Sequence, residues 1–180
     1  MGYPSHGATK TLPNSSIDVT FAAGATSVIP TLELSASKTL TLPHAGLSGR
    51  ITAATLRARA SADALSATIS ADVKAAVLIF DTDPALSESD AASLLTPAIL
   101  ADCLGVIVLD GSANADRVYH AALAALTTDV IHRGDCEVAF AEADELFAVL
   151  VNLTGVDWTL GDATDLVAVR FGLVYDSIGS

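Results

Sequence analysis

Long apolar runs, paired histidines and any lysine beyond Lys74 are missing from this chain of 180 residues. Asp, Ser, Thr or Arg breaks every alanine-rich stretch, so none approaches the ~18 apolar residues that a membrane helix needs. The two cysteines, Cys103 and Cys136, form no Cys-x-x-Cys and have no clustered histidine near them. That pattern indicates neither a zinc site nor a disulfide framework, and their apolar neighbours make both read as small interior hydrophobes. His6, His44, His120 and His132 are scattered without paired spacing, so the metal triad of a jelly-roll hydrolase or lyase is not assembled. Phosphate-cradling glycine loops are absent, and Gly46-Leu47-Ser48-Gly49 lacks the Gly-x-Ser-x-Gly frame of a nucleophile elbow. Met1-Gly2-Tyr3-Pro4-Ser5-His6 has no basic start followed by an apolar core, so no secretory leader is expected. No cofactor, no metal and no enzymatic activity are expected.

Acid is what the chain has in excess. Nine Lys/Arg stand against 21 Asp/Glu, a net charge of −12, and the pI is near 4.4. Such a balance opposes nucleic-acid binding, which demands clustered cations. The charge is also split along the chain. Residues 1–80 carry six basic and four acidic side chains, whereas residues 81–180 carry three arginines and 17 acids. This predicts a mildly basic half seated on an acidic surface and an acidic half facing solvent. Apolar residues make up 51% and mean hydropathy is +0.51. That is high for a free-standing monomer and points to a protein–protein interface; the alternative is that alanine alone inflates the index.

The periodicity is mostly that of strands. Ile17-Asp18-Val19-Thr20-Phe21 alternates apolar and polar residues, the mark of a half-buried strand. Further strands are expected at Val28 to Leu34, Thr39 to Leu42, Ile51 to Ala60, Ser66 to Asp72, Lys74 to Phe80, Val106 to Leu109, Leu146 to Leu153 and Asp165 to Tyr175. Ala75-Ala76-Val77-Leu78-Ile79-Phe80 is continuous enough to be covered on both faces. Asp129 to His132 and Glu137 to Ala141, around Gly134-Asp135, read as a hairpin. Ser87 as cap and Asp90 as the third residue open the best helix, and Thr96-Pro97 starts a second short one. Arg117 to Leu126 fits either helix or strand. Many short strands with so few helices define a mainly β chain: an antiparallel β-sandwich, jelly-roll-like, with one or two short helices inserted mid-chain. Residues 1–16, rich in Gly, Pro, Ser and Asn, read as an extended arm, and residues 17–180 as one sandwich domain.

Candidate chemistry is sparse. Val77-Leu78-Ile79-Phe80-Asp81-Thr82-Asp83 resembles the first motif of haloacid-dehalogenase-type phosphatases, in which an Asp-x-Asp ends an apolar strand. Three departures oppose it: Pro84 replaces the expected Gly, the motif lies mid-chain, and no lysine follows. Asp81, Asp83, Asp110 and Asp116 supply the oxygen type that Ca²⁺ takes, without EF-hand spacing; acidic turns are ordinarily just solvated. Trp158 is a candidate sugar-stacking platform, though with 5% aromatics it has little company. Arg50, Arg57 and Arg59 form the one local basic group. They are read either as a solvated strand edge that blocks aggregation or as a docking face for an acidic neighbour.

Phe80 to Leu86, Leu95 to Gly105 and the closing strand Leu166 to Tyr175 resemble virion structural proteins of tailed bacteriophages, of the capsid decoration (cement) or head-fibre type. The resemblance is one of style over residues 17–176. It implies a non-catalytic protein made in the host cytoplasm and located in the virion. Its partners would be the major capsid protein or other virion subunits, with a homo-oligomer, a trimer favoured. Arg50, Arg57 and Arg59, with Tyr3 and Lys10 of the arm, are the expected docking residues. A tail-fibre, receptor-binding or carbohydrate-binding sandwich is the alternative.

Overall fold

The computed structural model describes residues 15–24, 27–59, 74–88, 90, 92–110, 128–155, 157–160, 163 and 166–176. Eleven strands follow in chain order: β1 (Ser15–Ala23), β2 (Val28–Ile29), β3 (Lys38–Thr41), β4 (Leu47–Arg59), β5 (Lys74–Phe80), β6 (Cys103–Asp110), β7 (Thr128–Arg133), β8 (Val138–Ala143), β9 (Glu145–Asn152), β10 (Trp158–Thr159) and β11 (Leu166–Tyr175). They form two main antiparallel sheets. The front sheet has the order β1-β11-β4-β7 with β8 also on β4, the back sheet the order β3-β9-β5-β6, and β10-β2 is a small ribbon. The expected β-sandwich with few helices is therefore what folds.

Alternation explains the layering. In β1, Val19 and Phe21 are buried while Asp18 and Thr20 are exposed, and β11 sends Val167, Val169, Phe171 and Leu173 inward. Opposite them, Ala75, Val77 and Ile79 of β5 and Leu146, Ala148 and Leu150 of β9 complete the core between the sheets. The other face of the back sheet is also covered. Ala76, Leu78, Phe80, Val149 and Val151 form a second apolar cluster with Leu34 and Leu86, and Leu95 and Ile99 pack against it. Both faces of β5 are thus dry, as its uninterrupted apolar run predicts.

Three expectations are corrected. The helix over Ser87 to Leu95 does not form; a 3₁₀ turn at Ala92–Leu94 and the four-residue α1 (Pro97–Leu100) are present instead. Asp90 does accept a hydrogen bond from the Ser87 N–H at 2.9 Å. Yet the Leu34 N–H donates to the Asp90 carbonyl at 2.8 Å, and the Ala92 N–H to the Leu32 carbonyl at 3.0 Å. Backbone pairing to a distant segment outcompetes local helix propensity here. The strand over Val28 to Leu34 stops after two residues, since Pro30 cannot donate and Leu32 sits at φ 59°. β7 and β8 make no hairpin. Both run antiparallel to β4, Arg133 opposite Ala54 and Val138 opposite Ile51, so the chain keeps its direction past residues 134–137. Arg133 donates through Nε to Asp135 Oδ1 at 2.8 Å, which makes Gly134-Asp135 a local excursion and not a reversal. The expected strand over Ser66 to Asp72 and the segment Arg117 to Leu126 lie outside the described residues.

At the end of the sandwich, Asn152 is fully buried. Its Nδ2 donates to the Ile29 carbonyl at 2.9 Å, and its Oδ1 accepts from the Thr154 N–H at 2.9 Å. Thr154 Oγ1 accepts from Trp158 Nε1 at 3.1 Å and from the Lys74 N–H at 3.0 Å, and donates to the Lys74 carbonyl at 3.1 Å. This network pins the ribbon to β5 and β9 and gives the buried Asn152 amide and the Trp158 indole N–H their partners.

Candidate interaction surfaces

Two surfaces stand out, one charged and one apolar. The charged one is the outward face of the front sheet. Asp18 lies directly opposite Arg170, and Arg57 opposite Ala168 one strand further on. The small Ala168 leaves room for the Arg57 side chain to lie across β11. Arg57 Nη2 donates to Asp18 Oδ1 at 2.7 Å, while Arg170 grips both Asp18 oxygens, through Nε and Nη2, at 2.8 Å each. The Arg170 hydrogen bonds, with its charge and that of Arg57, hold the Asp18 carboxyl below its ordinary value of 3.8, and partial burial opposes them. A carboxylate stabilised in the fold contributes stability above its unfolded pKa and loses it as pH falls through the folded value. Asp18 remains about half exposed, so its contribution is modest, roughly 1 kcal/mol. Asp18→Asn is expected to lower the unfolding free energy at pH 7 by about that amount, a fall of roughly 0.5 M in the urea midpoint. The deficit should shrink below the ordinary carboxylate range, and an equal deficit at every pH would contradict this role.

Arg50 of β4 has carboxylates on either side, Glu137 Oε1 at 3.3 Å and Asp176 Oδ1 at 3.7 Å. The structure therefore places Arg50 and Arg57 on the same strand, each already engaged by acid from a distant part of the sequence. Arg59 ends β4 with its backbone opposite Leu166 and Thr128; its side chain, and Tyr3 and Lys10, lie outside the described residues. Ser15 and Ser16, assigned above to the arm, already pair with Leu173 and Gly172 in β1.

The pairing of these ions overturns the charge-split geometry. β4 lies between β11 and β7/β8, and β5 between β9 and β6, so the two halves of the chain interleave strand by strand. Asp18–Arg170, Arg50–Glu137 and Lys74–Asp110 each join one half to the other. The basic half has no side of the molecule to itself.

The apolar surface is strand β6, which borders the back sheet. Leu104, Val106 and Val108 are 37%, 52% and 37% exposed. Val106 lies opposite Leu78 and Val108 opposite Ala76, on the face turned away from the inter-sheet core, while Ile107 and Leu109 point into that core. An open groove of about 260 Å³ runs beside Val106 and Val108, bounded across from them by Arg133, Asp135 and Glu137. Sequence reasoning read this segment as an ordinary strand. The signal it held was the absence of any charged residue between Asp102 and Asp110.

The remaining candidates take structural places. Asp83 Oδ1 accepts from Ser37 Oγ at 2.7 Å and from the Ala85 N–H at 2.9 Å, holding a turn in which Ala85 sits at φ 52°. The Asp81 N–H donates to the Asp102 carbonyl at 3.1 Å, and Asp110 is paired with Lys74 at 2.9 Å. Asp116 lies outside the described residues, among which no three His, Cys, Asp or Glu gather as metal ligands. Trp158 is fully buried, which corrects its reading as a sugar platform. No described helix is long and apolar enough to cross a membrane.

No protein-family model matches the chain, and no curated protein matches it. Among solved structures it is similar to one of desmodium yellow mottle tymovirus, with 8% identity, 100% of this chain and 95% of that chain covered, and a TM-score of 0.37. For turnip yellow mosaic virus the values are 10%, 100%, 89% and 0.34. For a semi-empty virus-like particle of the nodavirus of the giant freshwater prawn Macrobrachium rosenbergii they are 10%, 93%, 96% and 0.32. These are viral capsid proteins of plant tymoviruses and a nodavirus, and none of the three comes from a tailed bacteriophage. At that degree of likeness they assign no role to this chain.

Proposed function

We propose that this chain is a non-catalytic structural subunit of a virus particle, which attaches to the outer capsid surface and assembles with further subunits. The observation that carries the reading is the exposed row Leu104, Val106 and Val108 along one strand, in addition to the exposed Leu32, Leu94 and Leu100. Contiguous apolar surface of that kind marks a protein–protein contact. The resemblance of its sequence to bacteriophage decoration and head-fibre proteins supplies the setting. The part of the front sheet that meets the shell is the Arg57–Asp18–Arg170 cluster, two cations to one carboxylate, next to Arg59 in the same strand; Arg50, further along it, is balanced by Glu137 and Asp176. The alternative of a carbohydrate-binding or receptor-binding module loses its aromatic platform, because Trp158 is inside.

Co-sedimentation with capsids of the virus that encodes the chain tests the docking face. Arg57→Gln combined with Arg59→Gln removes charge without setting a new acid against Asp18. This variant is expected to bind several-fold more weakly at low salt and nearly normally at high salt, where screening already suppresses the attraction. Attachment unchanged at every ionic strength would remove this face from the proposal.

A further inference from the structure

We propose that Asp18 is a positioning residue, which holds Arg57 and Arg170 side by side as a ready-made double fork for a carboxylate on the capsid surface. The proposal rests on the reading that this cluster meets the shell, and it names the group recognised there. Strand pairing lays out the site. Ser16, Gly172 and Ala53 form one cross-strand row, Asp18, Arg170 and Thr55 the next, and Thr20, Ala168 and Arg57 the third. Opposed residues of an antiparallel pair share a face, and the intervening Val19, Val169 and Leu56 belong to the core. These nine positions are therefore the outward ones. Three are charged, and none of the other six carries a long side chain. The two arginines stand over a floor of Gly172, Ala53 and Ala168.

One carboxylate makes the arrangement. Asp18 Oδ1 accepts from Arg57 Nη2 at 2.7 Å and from Arg170 Nε at 2.8 Å, while Oδ2 accepts from Arg170 Nη2 at 2.8 Å. Guanidinium groups from β4 and β11 are thereby fixed next to each other, although like charges repel and long side chains otherwise wander among rotamers. Arg170 Nη1 and Arg57 Nε and Nη1 have no partner among the described residues. Both side chains stay open to solvent, 51% for Arg170 and 39% for Arg57. Planar N–H forks of this kind match the two oxygens of a carboxylate. Charge alone gives such a partner little. The cluster has a surplus of one cation, on a molecule of net charge −12. At long range the whole molecule repels an acidic shell, so oriented bonds made at contact have to supply the attraction.

Co-sedimentation of the full chain with capsids of the virus that encodes it, at physiological ionic strength, separates orientation from charge. Asp18→Asn makes the face more positive, so docking by charge alone would tighten. The expected result is the opposite, binding weaker by at least about 5-fold, because both arginines must then be ordered on contact. Arg57→Lys combined with Arg170→Lys keeps every charge and removes the forks, and should weaken binding by a similar factor. The urea midpoint of each variant establishes that folded protein is being compared. The lysine pair also gives a second reading should Asp18→Asn fold poorly. If wild type binds capsids and Asp18→Asn binds equally or more tightly, this inference alone is overturned. Lysines that bind as well as the arginines overturn it too. A wild-type chain that leaves the capsids bare sinks the capsid reading, and this inference with it.

Discussion

Trp158→Ala is expected to cost about 3 to 5 kcal/mol, the range for emptying a buried aromatic site. Against the ~5 to 15 kcal/mol that holds a typical domain together, this would leave the protein near the edge of folding. The size of the effect follows from position. Trp158 is fully buried, opposes Ile29 in the β10–β2 ribbon and donates its indole N–H to Thr154 Oγ1 at 3.1 Å. Truncation opens a cavity where the ribbon closes one end of the inter-sheet core, and the ribbon's two-residue strands have little other pairing to hold them. With a urea slope of roughly 2 kcal/mol per molar, the midpoint should fall by about 2 M. Trp158→Phe keeps most of the volume and loses the hydrogen bond, so a fall of about 1 kcal/mol is expected. An unchanged midpoint for Trp158→Ala would show that the ribbon is not part of the cooperative core.

Gly49→Ala is expected to be nearly as damaging, for the opposite reason. A Cβ at residue 49 would stand 2.6 Å from the Val174 carbonyl oxygen, 2.9 Å from Phe140 Cζ and 3.1 Å from Tyr175 Cα. Two of these three are backbone atoms of β11, which cannot step aside without breaking register. Phe140 is itself held edge-on by Tyr175, ring centroids 5.9 Å apart. Overpacking costs typically 1 to 3 kcal/mol, and here about 3 kcal/mol is expected because the obstruction is main chain. Gly172→Ala is the control. Its Cβ would meet Ala53 Cβ at 3.3 Å, with Ala53 N and O in ordinary contact at 3.8 and 3.9 Å, so the strands need part by only a few tenths of an ångström and about 1 kcal/mol or less is expected. Chemical denaturation of both variants checks the order. Equal losses would contradict the close approach of β4 and β11 at Gly49.

Much of the sandwich was legible wherever a strand obeys a simple period. Val19 and Phe21 against Asp18 and Thr20 are enough to draw β1, and the unbroken run from Ala75 to Phe80 announces a strand dry on both faces. Reading failed where long-range pairing decides. Ser87 and Asp90 carry a helix-start pattern and do make its hydrogen bond, yet Leu32 and Leu34 capture the backbone of that segment. Gly134-Asp135 looks like a reversal, but no local feature reveals that β4 waits on one side for both β7 and β8. The candidate surfaces divide in the same way. Arg50 and Arg57 were visible as a basic group, whereas their carboxylate partners, Asp18, Glu137 and Asp176, come from strands or turns 39 or more positions away. The charge split along the sequence misled because an antiparallel sandwich shuffles distant strands into neighbours. β6 went unnoticed because an exposed valine and a buried one look alike until the sheet order is known.

The role as a particle subunit faces its most direct test in electron cryo-microscopy of particles purified with and without this chain. The expected difference is added density on the outer capsid surface, in which the sandwich turns its Arg57–Arg170 face to the shell. Particles that are identical in both preparations, with the chain left behind in the soluble fraction, would contradict the account.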